Sequence, residues 1–106
     1  MLYESLPWQR VAIILEFKVS VIIPVYNAAT FVRQAVESAL AQPETEEVIL
    51  VEDHSPDNSL EVCQQLVLEY PLVQLFRHPN GENRGAGPSR NLGMQKSTQP
   101  FIAFLD

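Results

Sequence analysis

An aromatic residue and two acids follow directly after apolar segments, and residues of these types can bind a nucleoside. Tyr26 and Asn27 follow the first segment, and Glu52 and Asp53 close the second. A ring at a strand tip can stack on a nucleobase, although a tyrosine there is also commonly a partly buried packing residue. Carboxylates at a strand end can accept hydrogen bonds from a base or a ribose, although a lone pair of acids commonly caps a helix. The combination favours a nucleoside site.

The sequence offers no glycine cradle for phosphates of the dinucleotide or P-loop kind, because neither glycine pattern occurs in its required place. A diphosphate could instead be neutralised by a divalent cation held by carboxylates, with Arg90 or backbone amides nearby. Asp106 is the only carboxylate at the tip of the fourth predicted strand, and one is too few for a metal site. His54 and His78 have no companion at ligand spacing and are predicted to be surface or loop residues.

The elements that must position these residues alternate between strands and helices. Short runs that are rich in β-branched residues and apolar throughout indicate strands buried on both faces. Apolar residues at spacings of three and four indicate helices with one buried stripe. The predicted strands are 19–23 (ending at Pro24), 48–51, 72–76 and 101–105. The predicted helices are 28–41, 58–69 and Pro88 to Met94 or Lys96, and the first has the apolar stripe Phe31, Val32, Ala35, Val36, Ala39 and Leu40.

This alternation predicts an α/β domain with a mainly parallel sheet of about four strands flanked by helices. In such sheets ligands bind outside the carboxyl ends of the strands. The polar residues after each predicted strand therefore lie where a site is expected. The segment 78–88 holds three of the four glycines and two of the prolines, which predicts a loop with unusual backbone angles.

Composition excludes several classes of protein. With 106 residues, 46% of them hydrophobic, the chain can build one small core. A net charge of -6 provides no basic face for nucleic acid. The single cysteine, Cys63, is predicted to be a buried free thiol. No apolar run is long enough to span a membrane and the amino terminus does not resemble a signal peptide, so we expect a cytoplasmic location. Residues 1–18 are predicted to be an amino-terminal extension.

Four segments in order resemble the amino-terminal half of the family 2 inverting glycosyltransferases, which have the GT-A fold. They are VSVIIPVYN (19–27), ILVEDHSPD (49–57), NRGAGPSRNLG (83–93) and FIAFLD (101–106). The resemblance implies that residues 19–106 form the nucleotide-binding half of such a domain. It also implies a nucleoside diphosphate sugar as donor, with UDP as the expected nucleotide, and Mg or Mn as the cofactor of the complete protein.

The resemblance also implies roles for individual residues. Pro24, Val25 and Tyr26, with Asn27 at the same tip, would line the base pocket. Asp53 would bond the base, with Glu52 alongside. Gly85 and Arg90 would lie near the nucleotide and its diphosphate. Asp106 looks like the first acid of the family's Asp-x-Asp element, the acid that faces the ribose. Asp106 is therefore also a candidate metal ligand. The family's second acid and its catalytic base do not occur in this sequence, so we expect these 106 residues to bind donor weakly and to transfer no sugar.

A competing interpretation is a non-catalytic α/β domain that contacts a protein or a nucleotide. Open sheet edges would then favour self-association. A flavodoxin-like or receiver-like domain is disfavoured, because a receiver needs an acidic pair after the first strand, where this chain has Pro24 and Val25.

Overall fold

The computed structural model describes residues 17–106, so most of the predicted extension 1–18 lies outside the described residues. The described part contains four strands, three α-helices and one 3-10 turn. The strands are β1 (Val19–Val25), β2 (Thr45–Glu52), β3 (Val73–Arg77) and β4 (Phe101–Phe104). The helices are α1 (Val32–Leu40), α2 (Ser59–Glu69) and α3 (Ala86–Lys96), and the turn is Pro79–Gly81. Within 17–106 no helix is both long and apolar enough to cross a bilayer.

The four strands form one parallel sheet in the order β3-β2-β1-β4, which confirms the predicted α/β class. β1 occupies an interior position, as its run of β-branched residues predicts. The chain moves outward from β1 to β3 and then returns to the other side of β1 with β4. Strand order therefore reverses beside β1, which is where parallel sheets commonly bind ligands.

Alternate residues of the central strands supply two separate cores. On one face, Val21, Ile23 and Val25 of β1 pack with buried residues of α1 and α2. On the other face, Ile22 packs with two buried residues of β2 and with Leu92 of α3. The sheet is therefore a middle layer, with α1 and α2 on one side and α3 on the other. Because side chains alternate along a strand, the parity of a residue fixes which layer it faces.

Helix α3 approaches β1 closely through a glycine. A Cβ atom added at Gly93 would lie 2.4 Å from Cγ2 of Ile22, nearer than two carbon atoms can come. Gly93 is therefore required by packing, and it sets how closely α3 lies against the sheet. The position of the first turn of α3, which borders the site described below, depends on this contact.

Strand β1 runs through Val25, so the prediction that it ends at Pro24 is wrong. The carbonyl of Val25 accepts the amide of Asp53, whereas that of Ile22 accepts the amide of Leu105. Backbone groups of a strand alternate in direction, so the missing N–H of Pro24 lies on the β4 side. Proline therefore leaves pairing with β2 intact and removes the next donor to β4, whose pairing ends opposite Ile22.

Further boundaries also differ from the prediction, among them the start of α3 at Ala86 rather than Pro88. Strand β2 begins at Thr45 rather than residue 48, since Glu47 is buried and has polar partners that hydrophobic periodicity cannot reveal. Helix α1 begins at Val32, and Phe31 is 67% exposed instead of belonging to the buried stripe. The prediction for Cys63 is confirmed: it is a buried free thiol, and burial raises its pKa to about 12.

Candidate functional site

A cleft of about 620 Å³ opens at the carboxyl ends of the strands, and its size falls within the range of small-molecule sites. It is bordered by β1, β2, the loop before α3, the first turn of α3 and the end of β4. The lining residues are Pro24, Val25, Tyr26, Ala28, Asp53, Asn83, Gly85, Ala86, Ser89, Arg90 and Asp106. The structure thus brings together all the predicted site residues except Asn27 and Glu52.

Tyr26 lies just beyond the end of β1 and is 54% exposed. Tyr26 therefore lies outside the two buried core clusters. Pro24 and Val25 precede it along the same wall, and Val25 is buried. The wall therefore carries an aromatic ring just beyond the end of a buried strand, and this ring can stack with a planar ligand.

Asp53 is buried and organises the loop that faces it. Its Oδ1 accepts the amide of Arg84 at 2.7 Å, and its Oδ2 accepts the amide of Gly85 at 2.9 Å. The Asn83 side chain donates to Oδ2 at 3.2 Å and to the Asp53 carbonyl at 2.8 Å. Hydrogen bonds to a carboxylate are stronger than those between neutral groups. Asp53 therefore fixes residues 83–85 to the tip of β2, a role the sequence did not reveal.

Gly85 has the backbone conformation that this loop requires. Its φ is +93°, in a region that side-chain-bearing residues rarely adopt, and it directly precedes α3. Its carbonyl accepts the amide of Ser89, and its own amide donates to Asp53. Gly85 therefore turns the chain from the loop into the helix, while its amide stays bound to the sheet.

Glu52 lies outside the cleft, although the family resemblance places it beside the base. It is 1% exposed, and its carboxylate accepts the amides of His54 and Ser55 and the Nε–H of Arg77. Glu52 and Asp53 are consecutive, so their side chains point to opposite faces of the sheet. Glu52 faces the α1 and α2 layer, where it holds the turn that follows β2.

Asn27 is exposed and does not line the cleft, but its backbone belongs to a contact between two loops. Three consecutive amides, those of residues 27–29, donate to side chains of the loop after β2 and of the first residue of α2. Their acceptors are Ser55 Oγ at 3.0 Å, Ser59 Oγ at 2.9 Å and Asp57 Oδ2 at 3.1 Å. The pKa of Asp57 is lowered, chiefly by the hydrogen bond that the Ser59 hydroxyl donates to it and also by the Ala29 amide. The loop after Tyr26 is thereby fixed to the loop after Asp53.

Arg90 and Asp106 form an ion pair at the β4 side of the cleft, with 2.7 Å between Nη2 and Oδ2. Both side chains are substantially exposed, so a charged ligand can compete for either. Within residues 17–106 no three acids, histidines or cysteines lie together in a way that would hold a metal ion. The described residues thus do not form a metal site by themselves, and Asp106 alone does not satisfy a hard cation.

Three polar residues at or below the cleft were not among the predicted site residues. Asn83 and Ser89 lie within the glycine-rich motif. Their position within a few residues of Gly85 and Arg90 was the signal in the sequence that could have identified them. His78 lies in the connection after β3, which agrees with the predicted loop position, but it is not a surface residue, because only 6% of it is exposed. His54, in contrast, is exposed as predicted.

Comparison with known proteins agrees with this fold. The profile of the family described as Glycosyl transferase family 2 matches residues 20–106. The glycosyltransferase YibD of Escherichia coli (strain K12) is 40% identical over 90 residues, which are 84% of this chain and 25% of YibD. The minor teichoic acid biosynthesis protein GgaB of Bacillus subtilis (strain 168) is 34% identical over 82% of this chain and 10% of its own length.

Solved structures give the same result. TarS 1-349 of S. aureus in complex with UDP-GlcNAc has a TM-score of 0.71 at 26% identity. The match covers 84% of this chain and 26% of the TarS 1-349 chain. The mannosyltransferase PcManGT of Pyrobaculum calidifontis, in complex with GDP-Man and Mn2+, has a TM-score of 0.70 at 23% identity. The match covers 80% of this chain and 26% of the PcManGT chain. The chain spans about a quarter of the length of these structures and of YibD. This chain belongs to glycosyl transferase family 2 and has the α/β fold of the GT-A glycosyltransferases.

Proposed function

We propose that residues 19–106 form the nucleotide-binding half of the donor site in an inverting glycosyltransferase. The complete protein transfers a sugar from a nucleoside diphosphate donor to an acceptor hydroxyl. The observation that carries this proposal is the convergence of Tyr26, Asp53, Arg90 and Asp106 on one cleft from four different elements. UDP is the expected nucleotide, and the UDP-GlcNAc complex of TarS supports this choice.

The described residues have distinct roles in this proposal. Tyr26 stacks on the base against the wall formed by Pro24 and Val25. A carboxylate offers about four acceptor directions, and the loop occupies three of those of Asp53. The remaining direction, on Oδ1, is available to an imide hydrogen of the base. Asp53 thus serves the loop and the ligand at the same time.

The charged residues at the β4 side receive the ribose and the diphosphate. Arg90 supplies positive charge to the diphosphate when its ion pair with Asp106 opens. We propose Mg²⁺ or Mn²⁺ as cofactor of the complete protein, with Asp106 as one ligand. A divalent cation would neutralise the leaving diphosphate. The Mn2+ in the PcManGT complex supports a divalent metal as cofactor of the complete protein.

The 106 residues are proposed to bind the donor without transferring its sugar. Attack by an acceptor hydroxyl needs a base close to it. The acids that line the described cleft are Asp53 and Asp106, and both are already bonded to other residues. An assay of UDP release from UDP-GlcNAc with simple sugar acceptors should show no turnover. Measurable turnover would refute this part of the proposal.

Calorimetric titration of UDP in the presence of Mn²⁺ tests the binding proposal. We expect saturable binding that weakens in the Tyr26→Ala variant and persists in Tyr26→Phe, which keeps the ring. A matched control is Leu68→Ala, which removes an 82% exposed side chain on α2, away from the cleft. Absence of saturable binding at millimolar UDP, or equal binding by all variants, would contradict the proposal.

Self-association is the second candidate function, and one observation favours it. Among residues 17–106, strand β4 pairs on one side only, and Phe101, Ile102 and Phe104 are 46%, 39% and 44% exposed. A strand edge of this kind can pair with a second copy of the chain. Light scattering across a range of protein concentrations should then show dimers that Ile102→Lys abolishes. A monomer at every concentration would exclude this candidate.

A further inference from the structure

His78 is buried beneath the cleft and contacts two of the residues that line it. It directly follows β3, and only 6% of it is exposed. Its Nε2 lies 3.0 Å from Oγ of Ser89 and 3.6 Å from Oδ1 of Asp53. Ser89 belongs to the first turn of α3, and Asp53 to the tip of β2. The imidazole therefore joins the helix that carries Arg90 to the sheet.

The charge around the ring determines which nitrogen carries a hydrogen. If Nε2 were unprotonated, its lone pair would face the anionic oxygen of Asp53 across 3.6 Å, which is repulsive. A hydrogen on Nε2 can instead donate to Ser89 Oγ and is attracted by the carboxylate. The protonated Nε2 is therefore the arrangement that fits all three residues.

We propose that His78 is a positioning residue of the nucleotide cleft. Its Nε2–H holds Ser89 and the Asp53 carboxylate in a fixed relation, so that Asp53 keeps the amides of Arg84 and Gly85 in place. His78 does not line the cleft and acts only through these neighbours. Its effect on nucleotide affinity rests on the proposed function, whereas its effect on the loop does not.

Two substitutions separate the hydrogen bond from the volume of the ring. His78→Gln keeps an N–H donor where Nε2 lies, and His78→Met fills a similar space without a donor. The amide proton resonances of Arg84 and Gly85 report the loop in the nucleotide-free 106-residue chain. We expect them to be unchanged in His78→Gln and to move upfield in His78→Met. A long-range proton–nitrogen spectrum of the wild type should show hydrogen on Nε2.

Affinity for UDP with Mn²⁺ is the second measurement. We expect His78→Met to bind about tenfold more weakly, equivalent to about 1.4 kcal/mol, and His78→Gln to bind about as well as the wild type. An unprotonated Nε2, or identical loop resonances in the two variants, would overturn the proposal. If the wild type binds no UDP, the proposed function fails, and the loop resonances still decide the role of His78.

A third variant covers the case in which His78→Met does not fold. Ser89→Ala deletes only the oxygen that accepts the Nε2 hydrogen, and it keeps a good helix former in α3. It should shift the Nε2 resonance of His78 and the Gly85 amide resonance. Spectra that match the wild type at both nuclei would show that the contact positions nothing.

Discussion

The amide of Gly85 donates to the carboxylate of Asp53 at 2.9 Å, so the loop before α3 is bonded to the tip of β2. In Asp53→Asn, one oxygen becomes an amide group that cannot accept a hydrogen, while three donors still point at the side chain. Losing a buried hydrogen bond to a charged group costs roughly 2 kcal/mol. We expect urea denaturation to show a loss of this size in the free energy of unfolding.

The control for that measurement is Glu82→Gln in the same loop. Glu82 is exposed and pairs with the Arg84 side chain, and exposed pairs of this kind stabilise little. The variant should therefore unfold at nearly the same urea concentration as the wild type. Equal stability of Asp53→Asn and Glu82→Gln would show that Asp53 does not hold the loop.

Gly93→Ala should destabilise the fold, because its new methyl group would overlap Ile22. Overpacking of a buried contact typically costs about 1–3 kcal/mol, which urea denaturation can resolve. Gly87→Ala in the same helix is the matched control, since a Cβ there meets no atom within 4 Å. Gly87→Ala should leave stability unchanged or raise it slightly. Similar losses in both variants would show that the contact between Gly93 and Ile22 does not determine the effect.

Tyr26→Ala should weaken UDP binding without affecting stability. Stacking of a base on an aromatic ring contributes about 1–3 kcal/mol, so the dissociation constant should rise at least about fivefold. The ring is 54% exposed and contributes little to the core, which predicts an unchanged unfolding midpoint. Titration calorimetry and urea denaturation of the same sample measure both quantities. A parallel loss of stability would instead identify Tyr26 as a structural residue.

Glu47 should make stability depend on pH. Burial raises its pKa, but hydrogen bonds from Ser20 and Thr98 outweigh that effect, so its pKa in the folded state lies below the ordinary value of 4.5. A lowered folded pKa stabilises the protein above the unfolded value, and this contribution disappears as the pH falls through the folded value.

The variant that tests this dependence is Glu47→Gln. Its deficit in unfolding free energy relative to wild type should be largest at pH values well above 4.5 and should shrink as the pH falls below 4.5. Glu61→Gln, at an exposed position of α2, is the control. A deficit that stays constant over this pH range would show that ionisation of Glu47 contributes nothing.

The strands and the position of the cleft could be predicted because they depend on local pattern. Runs such as 19–23 are apolar on both faces, and the polar residues after them converge wherever parallel strands end together. Tyr26 and Asp53 could be placed at one site on that basis, whereas Arg90, which lies on α3, was placed there by the family resemblance. The separation of Glu52 from Asp53 was also foreseeable, since adjacent side chains of a strand alternate.

Other features depend on partners that are distant in the chain. The burial of Glu47 depends on Ser20 and Thr98, which come from other elements of the fold. His78 is buried because α3 returns Ser89 to it, and no local pattern indicates that contact. The loop function of Asp53 likewise depends on amides about thirty positions away. Hydrophobic periodicity contains no information about such polar contacts.

Pro24 lies where the pairing of β1 with β4 ends and the cleft begins. Pro24 has no N–H, so the pairing of β1 with β4 ends at Ile22 and Phe104, just before Tyr26 and Asp106 border the cleft. Any other residue would supply a donor on the β4 side, where one more rung between the strands could form. The cleft thus opens on this side at the point where one imino acid ends the ladder.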